Sequence, residues 1–319
     1  MPAIIASAPG KIILFGEHAA VYHRPAIAVP VTQIKAKASI FPAIKLAPGT
    51  VKIEAPDIQL STSLDQLGGD HPLALAIHSV FRQLAIERPP AMILQVTSTI
   101  PIAAGLGSGA AVSVAIIRAL SSFLGSPLPD DVISALAYEV ERIHHGNPSG
   151  IDNTVITFAR PVYFIRGQIP QLFEVSRPFT LVIADTGVQS PTALVVNGVR
   201  ERWQKDTQPY ERWFDQIGAI ADQARKVIEE GYPQQLGSLM DENQALLEEI
   251  GVSSPELETL VAAARRAGAL GAKLSGGGAG GNMIALTTPN NAAGIASQLE
   301  QAGATRTLIT HLGPGNLRA

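Results

Sequence analysis

The sequence predicts a mixed α+β fold in two domains, and three observations lead to that prediction. The chain has 319 residues, which is about twice the usual length of a single domain. Its composition of 46% hydrophobic and 16% charged residues suits a chain that folds around a full-sized core. Short β-type runs dominate the first part of the chain, whereas helical patterns alternate with separate strands afterwards.

The first part opens on strand-like runs that are separated by turns rich in proline and glycine. Strands are predicted over residues 4–8, 12–15, 26–30, 34–41 and 51–55. A helix over 73–84, a strand over 92–100, and helices over 108–124 and 131–144 follow. The runs 155–158 and 162–165 are again predicted as strands.

The segment 168–178 is the predicted domain boundary, which divides the chain into domains 1–170 and 171–319. The pattern beyond it predicts a strand over 181–185, three or four helices between 192 and 268, a strand near 282–287, a helix over 292–302 and a last strand near 305–309. Asn243 falls on the apolar stripe of one of these helices and requires a partner there. A structural hydrogen bond to a backbone group is favoured over a contact in an active site.

Charge and composition argue against several classes of function. The 24 Lys and Arg against 27 Asp and Glu give a net charge of −3 without a basic run, so no nucleic-acid partner is expected. The absence of cysteine excludes disulfides and metal sites built on thiolates. With no basic leader and no long apolar run, a cytoplasmic protein without a membrane partner is expected.

A glycine-rich turn, PIAAGLGSGAA, leads directly into a long helix that is apolar on nearly all sides. The first turn of a helix exposes unpaired backbone N–H groups, and glycine lets a ligand approach them closely. The segment therefore suits an anion, and burial of the helix would fix the site rigidly. Its spacing matches neither GxxxxGK[ST] nor GxGxxG, so a dinucleotide-dependent reductase is disfavoured. Considered alone, the turn is equally well explained by tight packing between a strand and a helix.

Two further glycine-containing segments add to this picture. GAKLSGGGAGGNMIAL is predicted as a glycine-dense loop between a helix and a strand, and the entropy cost of ordering it argues against a purely structural role. PGKIILFGEHAAVYHRPAIAV brings Lys11, Glu17 and His18 close to a tight turn. These three side chains would by themselves be interpreted as solvated surface groups.

Candidate chemistry lies in ERIHHGNPSGIDN, where Glu141 ends a helix and Asp152 follows a loop. Two carboxylates placed in this way suit one magnesium ligand and one base, because a hard cation prefers oxygen and the base must remain free of it. His144 and His145 share a helix face with Glu141. A transition-metal site is disfavoured, because no further ligand of the right type lies nearby.

Together these four segments resemble the GHMP small-molecule kinases, in the same order along nearly the whole chain. The segments HGNPSGIDN and DTGVQSPTALVV resemble the branch of that family that phosphorylates mevalonate. The resemblance implies a ribosomal protein S5 domain 2-like N-terminal domain and a ferredoxin-like C-terminal domain, with the active site between them. It also implies transfer of a phosphoryl group from ATP to the C5 hydroxyl of mevalonate, with Mg²⁺ as cofactor and a homodimer as the assembly.

The resemblance assigns roles to individual residues. Asp152 matches the proton acceptor and Lys11 the lysine beside the reacting hydroxyl, so an ion pair between them is expected. Glu141 and Ser108 match the metal-binding positions. The substrate-binding positions are Lys11, Glu17, His18, Ser149, Asp152 and Thr192. The ATP-binding positions are Pro101, Ala104, Gly105, Leu106, Gly107, Ser108, Gly109, Ala110, Ala111, Gly276, Gly277 and Gly278. The adenine pocket has no motif and is expected within 51–84.

One departure from the family pattern concerns the phosphate loop, because the usual GLGSSAA has Gly109 in place of its second serine. Two alternatives follow from the same residues. The chain could be a GHMP kinase of another small alcohol, such as phosphomevalonate or a sugar, or a relative that binds ATP without turning it over. Gly109 favours the second alternative, whereas the intact set of Lys11, Glu141 and Asp152 opposes it.

Overall fold

Two β-sheets organise the chain, which a computed structural model describes over residues 3–102, 104–145 and 148–314. For His144 and His145 the description covers the backbone alone, so the transition-metal alternative at these side chains lies outside the described residues. Within the described part of the chain, the first sheet has seven strands and the second has four.

The first sheet contains the strands β1 (Ile4–Phe15), β2 (Ala26–Pro42), β3 (Val51–Ala55), β4 (Leu60–Ser63), β5 (Met92–Ser98), β6 (Val162–Phe164) and β7 (Gln171–Leu172). Their order is β4-β3-β5-β2-β6-β7, and β1 pairs with β2. β1 and β2 are each one long strand where the sequence predicted two. Register shifts in the ladder between β1 and β2, at Pro9/Gly10 and at Ile13/Phe15, bend the pair without ending it.

The helices α1 (Pro72–Gln83), α2 (Ser108–Phe123), α3 (Asp130–His145) and α4 (Ile151–Phe158) accompany this sheet. α2 packs against β1 and β2 on one side and against the other three helices on the other. Its side chains are buried along most of its length, as an apolar helix without a polar face requires. The expected burial of the helix behind the glycine-rich turn is therefore confirmed.

The strand predicted over 155–158 is wrong, because these residues form the second half of α4. Gly150 precedes the helix with a φ of 87°, a conformation that glycine adopts without strain. Ile151 and Val155 are then one helical turn apart and both enter the core. Packing of this face outweighs the strand propensity of the β-branched residues. The helix also places Asp152 in its first turn.

The second half of the chain forms β8 (Phe179–Asp185), α5 (Thr192–Lys205), α6 (Thr207–Glu230), α7 (Leu236–Ile250), α8 (Pro255–Arg266), β9 (Gly271–Ser275), β10 (Asn282–Thr287), α9 (Ala292–Gln301) and β11 (Arg306–Leu312). The antiparallel order β11-β8-β10-β9 is that of a ferredoxin-like sheet. The prediction of a loop beginning at Gly271 is wrong, because the first five residues of that segment form the buried strand β9.

The strand β7 pairs with β6 and belongs to the first sheet, although it lies within the predicted boundary segment 168–178.

Asn243 is fully buried in α7, and neither atom of its amide has a hydrogen-bond partner among the described residues. The predicted structural hydrogen bond is therefore wrong. A search of the described helices finds none with the length and apolar character needed to cross a bilayer.

Candidate active site

Lys11 and Asp152 meet at the boundary between two cavities. The Nζ atom of Lys11, on β1, lies 3.2 Å from Oδ1 of Asp152, in the first turn of α4. The expected ion pair is therefore confirmed. The Lys11 side chain is 10% exposed and that of Asp152 is 34% exposed, so the carboxylate remains accessible from the cavities.

Lys11 is also attached to the glycine-rich turn that precedes α2. Its backbone N–H donates to the carbonyl of Leu106 at 3.0 Å. Gly107 adopts a φ of 76°, and a Cβ at this position would lie 2.9 Å from Cγ of Lys11 and 2.7 Å from Cδ1 of Ile156. Only glycine therefore lets the turn lie directly on the lysine stem.

The turn presents the start of α2 to the larger cavity, whose empty space is about 2250 Å³. The first helical hydrogen bond runs from Ala111 N to Gly107 O, so the preceding N–H groups of the first turn have no partner within the helix. These groups and the helix dipole suit a bound anion, so the start of α2 is a candidate anion site. The predicted ATP-binding residues that line this cavity are Pro101, Ala104, Gly105, Leu106, Gly107, Ser108, Gly109 and Ala110. Ala111 is buried behind them.

The far end of the larger cavity lies where the adenine pocket was expected. Ala55 of β3, Asp57 in the turn after it, His71 just before α1, Pro72 of α1 and Val96 of β5 line it. Ile58 and Ile102 are 51% and 68% exposed and add apolar walls near the opening. A flat, partly apolar base fits such a pocket.

Glu141 lies beside the anion site. A Cβ built on Gly109 would lie 3.2 Å from Oε1 of Glu141, which places this carboxylate against the first turn of α2 next to Ser108. The described residues contain no cluster of three or more His, Cys, Asp or Glu side chains around a metal position. Few protein oxygens near a phosphate site suit Mg²⁺, which retains water and phosphate ligands.

We expect Gly109→Ser to fold and to bind MgATP at least as well as the unmodified protein. Gly109 has no positive φ, and only the carboxylate end of Glu141 must shift by a few tenths of an ångström. A new hydroxyl that reaches phosphate or metal adds about 1 kcal/mol, a gain of about fivefold in KM for MgATP. Gly107→Ser is the matched control and should lose nucleotide binding. Loss of folding in the Gly109 variant would contradict this geometry.

The smaller cavity, with about 990 Å³ of empty space, adjoins the larger one at Lys11 and Asp152. It contains all the predicted substrate-binding residues: Lys11, Glu17, His18, Ser149, Asp152 and Thr192. Gly276 and Gly277, predicted as ATP-binding, line this cavity, whereas Gly278 lies behind it, where its carbonyl accepts a hydrogen bond from Ser190 Oγ at 2.6 Å. Arg166 also lines the smaller cavity, although no sequence motif marked it.

The two cavities draw on different parts of the chain. Apart from Thr192, every described residue that lines the larger cavity lies at or before position 153. The smaller cavity combines residues of the first half with Thr192, Val196, Gly276 and Gly277 of the second half.

His18 faces this cavity as a neutral ring. Burial lowers the pKa of His18 to about 4, although a hydrogen bond between Nε2 and the carbonyl of Gly277 at 2.9 Å opposes the shift. A ring that is neutral at pH 7 donates from Nε2 to this carbonyl. His18 therefore connects the turn after β1 to the third glycine segment.

Comparison with known proteins agrees with this arrangement. Residues 73–160 match the family of GHMP kinases N terminal domains, and residues 224–305 match the family of GHMP kinases C terminal domains. The chain belongs to the GHMP kinase family. Among relatives, this GHMP kinase is 37% identical to a mevalonate kinase of Pyrococcus abyssi, over 99% of this chain and 97% of that protein. It is 36% identical to a mevalonate kinase of Thermococcus sibiricus, over 94% and 93%.

Solved structures give the same result for the fold of this GHMP kinase. The crystal structure of L. major mevalonate kinase in complex with R-mevalonate superimposes with a TM-score of 0.83 at 29% identity. That match covers 99% of this chain and 97% of the other. The two-domain GHMP kinase fold expected from the sequence is confirmed.

Proposed function

We propose that this kinase transfers the γ-phosphoryl group of ATP to the C5 hydroxyl of mevalonate, giving 5-phosphomevalonate. The observation that carries the proposal is the Lys11–Asp152 pair, 3.2 Å apart, at the junction of a nucleotide-sized cavity and a smaller one. The mevalonate kinase relatives that align along nearly the whole chain supply the identity of the alcohol.

The smaller cavity matches the chemistry of mevalonate, which has a primary hydroxyl at one end and a carboxylate at the other. Besides Lys11, its described lining includes the guanidinium of Arg166, whose Nη1 also donates to Val21 O at 3.2 Å. Arginine binds carboxylates through two parallel hydrogen bonds. We therefore assign Arg166 to the carboxylate, which leaves the hydroxyl at Lys11 and Asp152.

Catalysis at this site relies on alignment and charge, because phosphoryl transfer passes through a loose, charge-spread transition state. Asp152 accepts the proton of the hydroxyl as the oxygen attacks phosphorus. The ammonium of Lys11 stabilises the negative charge that develops on this oxygen, and the N–H groups at the start of α2 hold phosphate oxygens. The hydrogen bond between Lys11 and Leu106 fixes the position of the lysine relative to the start of α2.

We assign Glu141 and Ser108, which both line the larger cavity, to the magnesium ion that the family resemblance implies. Mg²⁺ supplies charge neutralisation of the phosphates when it is bound.

We further propose a homodimer in the cytoplasm, as the family resemblance implies. Size-exclusion chromatography with light scattering tests the assembly.

The activity is tested by measuring ADP release from MgATP with mevalonate, 5-phosphomevalonate, mevalonate diphosphate, galactose and homoserine at equal concentration. Turnover with mevalonate alone is the expected result. Turnover with another of these alcohols would retain the mechanism and refute the substrate. Nucleotide binding without turnover of any of them would instead identify a non-catalytic relative.

Replacing Arg166 tests how the substrate is oriented. We expect Arg166→Gln to raise KM for mevalonate by about 10- to 100-fold, because a charge-assisted hydrogen bond to the carboxylate is lost. KM for ATP should not change, since Arg166 does not line the larger cavity. Arg82→Gln, which breaks an exposed pair with Glu139, is the matched control. An equal rise in both KM values would contradict the assignment.

A further inference from the structure

Glu17 and Lys273 form an ion pair that joins the two halves of the protein in its interior. Both side chains are 0% exposed. Lys273 Nζ donates to Oε1 of Glu17 and, at 2.6 Å, to the carbonyl of Leu274. The other carboxylate oxygen, Oε2, has no hydrogen-bond partner among the described residues. The ammonium of Lys273 thus favours the charged form of Glu17.

Two more hydrogen bonds flank this pair and join the same two segments. Ser275 Oγ donates to the carbonyl of Ile13 at 2.7 Å, and His18 Nε2 pairs with the carbonyl of Gly277 at 2.9 Å. Residues 13–18 are therefore attached to residues 273–277 at three points, one of which is the ion pair. The first segment follows Lys11 along the chain, and the second continues β9.

These joined segments form part of the wall of the smaller cavity. Gly16, Glu17 and His18 contribute one side, and Gly276 and Gly277 contribute the other. None of these five residues lines the larger cavity. A change in the distance between the two segments would therefore alter the alcohol cavity and leave the nucleotide cavity intact.

The stability of the fold gives no reason to retain two charges here. Burial raises the pKa of Glu17 and lowers that of Lys273, which shows that desolvation opposes both charges. Apolar residues of similar volume often stabilise a protein as well as a buried ion pair does, or better. What apolar packing lacks is the directional bond that fixes the distance between two segments.

We propose that Lys273 is a positioning residue that, through Glu17, holds the two walls of the alcohol cavity at the separation the substrate requires. The inference rests on the proposed function, because it assigns the smaller cavity to the alcohol. It names a determinant of substrate binding that does not itself contact the substrate.

The test compares Lys273→Met with the double variant Glu17→Gln/Lys273→Met. The single variant leaves a buried carboxylate without its partner, so its Tm should fall. The double variant removes both charges and should regain most of that loss. We expect it nevertheless to show kcat/KM for mevalonate reduced by about 10²-fold, as misplacement by about 1 Å produces, with KM for ATP within about twofold of the wild-type value.

Glu17→Asp provides a second variant that does not depend on the folding of the first two. It keeps the charge and shortens the connection by one methylene group, so we expect near wild-type Tm with a raised KM for mevalonate. Lys52→Met, which removes a half-buried pair with Glu54 on β3, serves as the control and should change neither value.

Wild-type kinetics in the folded double variant and in Glu17→Asp would overturn the inference, since the pair would then serve the fold alone. An equal loss of affinity for ATP and mevalonate would also overturn it. Failure of the proposed function has a different signature, because the wild-type enzyme itself would then show no turnover with mevalonate.

Discussion

We expect Asp152→Asn to lower kcat by about 10²- to 10⁴-fold, because the amide cannot accept the proton of the attacking hydroxyl. The affinity for ATP should change little, since we assign phosphate binding to the backbone N–H groups at the start of α2. Turnover is measured by coupled ADP release, and nucleotide affinity by calorimetry with a non-hydrolysable ATP analogue.

A matched control for this variant is available on α3. Asp130 forms an exposed ion pair with Arg118 at 2.8 Å and lines neither cavity, so Asp130→Asn removes a comparable surface charge pair away from the site. Its kcat should be that of the wild-type enzyme. Turnover near the wild-type rate in Asp152→Asn would remove this carboxylate from the mechanism.

The second large effect is expected for Lys11→Met, with a fall of about 10²- to 10³-fold in kcat. Methionine preserves the unbranched stem on which Gly107 rests but removes the ammonium to which we assign stabilisation of the attacking oxygen. kcat and both KM values are measured by varying one substrate while the other is kept saturating. Folding should be retained, which circular dichroism verifies.

The double variant Lys11→Met/Asp152→Asn separates a shared role from two independent ones. If Lys11 and Asp152 act on the same hydroxyl, the decreases in kcat of the two single variants do not multiply. The double variant is then only slightly slower than the slower single variant. Losses that multiply in full would indicate that the lysine and the aspartate act on different steps.

The elements that carry motifs were predictable because their signals are local. The start of α2 at Ser108 follows from a glycine turn before an apolar run, and β10 follows from an uninterrupted apolar segment. The expected meeting of Lys11 with Asp152 came from family resemblance, since no local pattern relates residues so distant in sequence. α4 was mistaken for a strand because burial against β1 and α2, rather than the propensity of its residues, decides its conformation.

The parts that escaped prediction depend on contacts between distant segments. Lys273 lies in a short strand that begins with glycine and looks like part of a loop. Its partner, Glu17, is 256 positions away along the chain. Arg166 follows β6 without any motif, and only the folded chain shows that it lines a cavity. In sequence, each of the two cations is indistinguishable from a solvated surface group.

The two halves of the chain contribute unequally to the linings of the two cavities, and this has a practical consequence for altering the enzyme. Since Thr192 is the one described residue beyond position 153 that lines the larger cavity, we expect mutagenesis elsewhere in the second half to leave the choice of nucleotide unchanged. The same mutagenesis reaches the smaller cavity at Val196 and Gly277, which do not line the larger one. A library restricted to these positions can be screened for new alcohols against a constant background of ATP affinity.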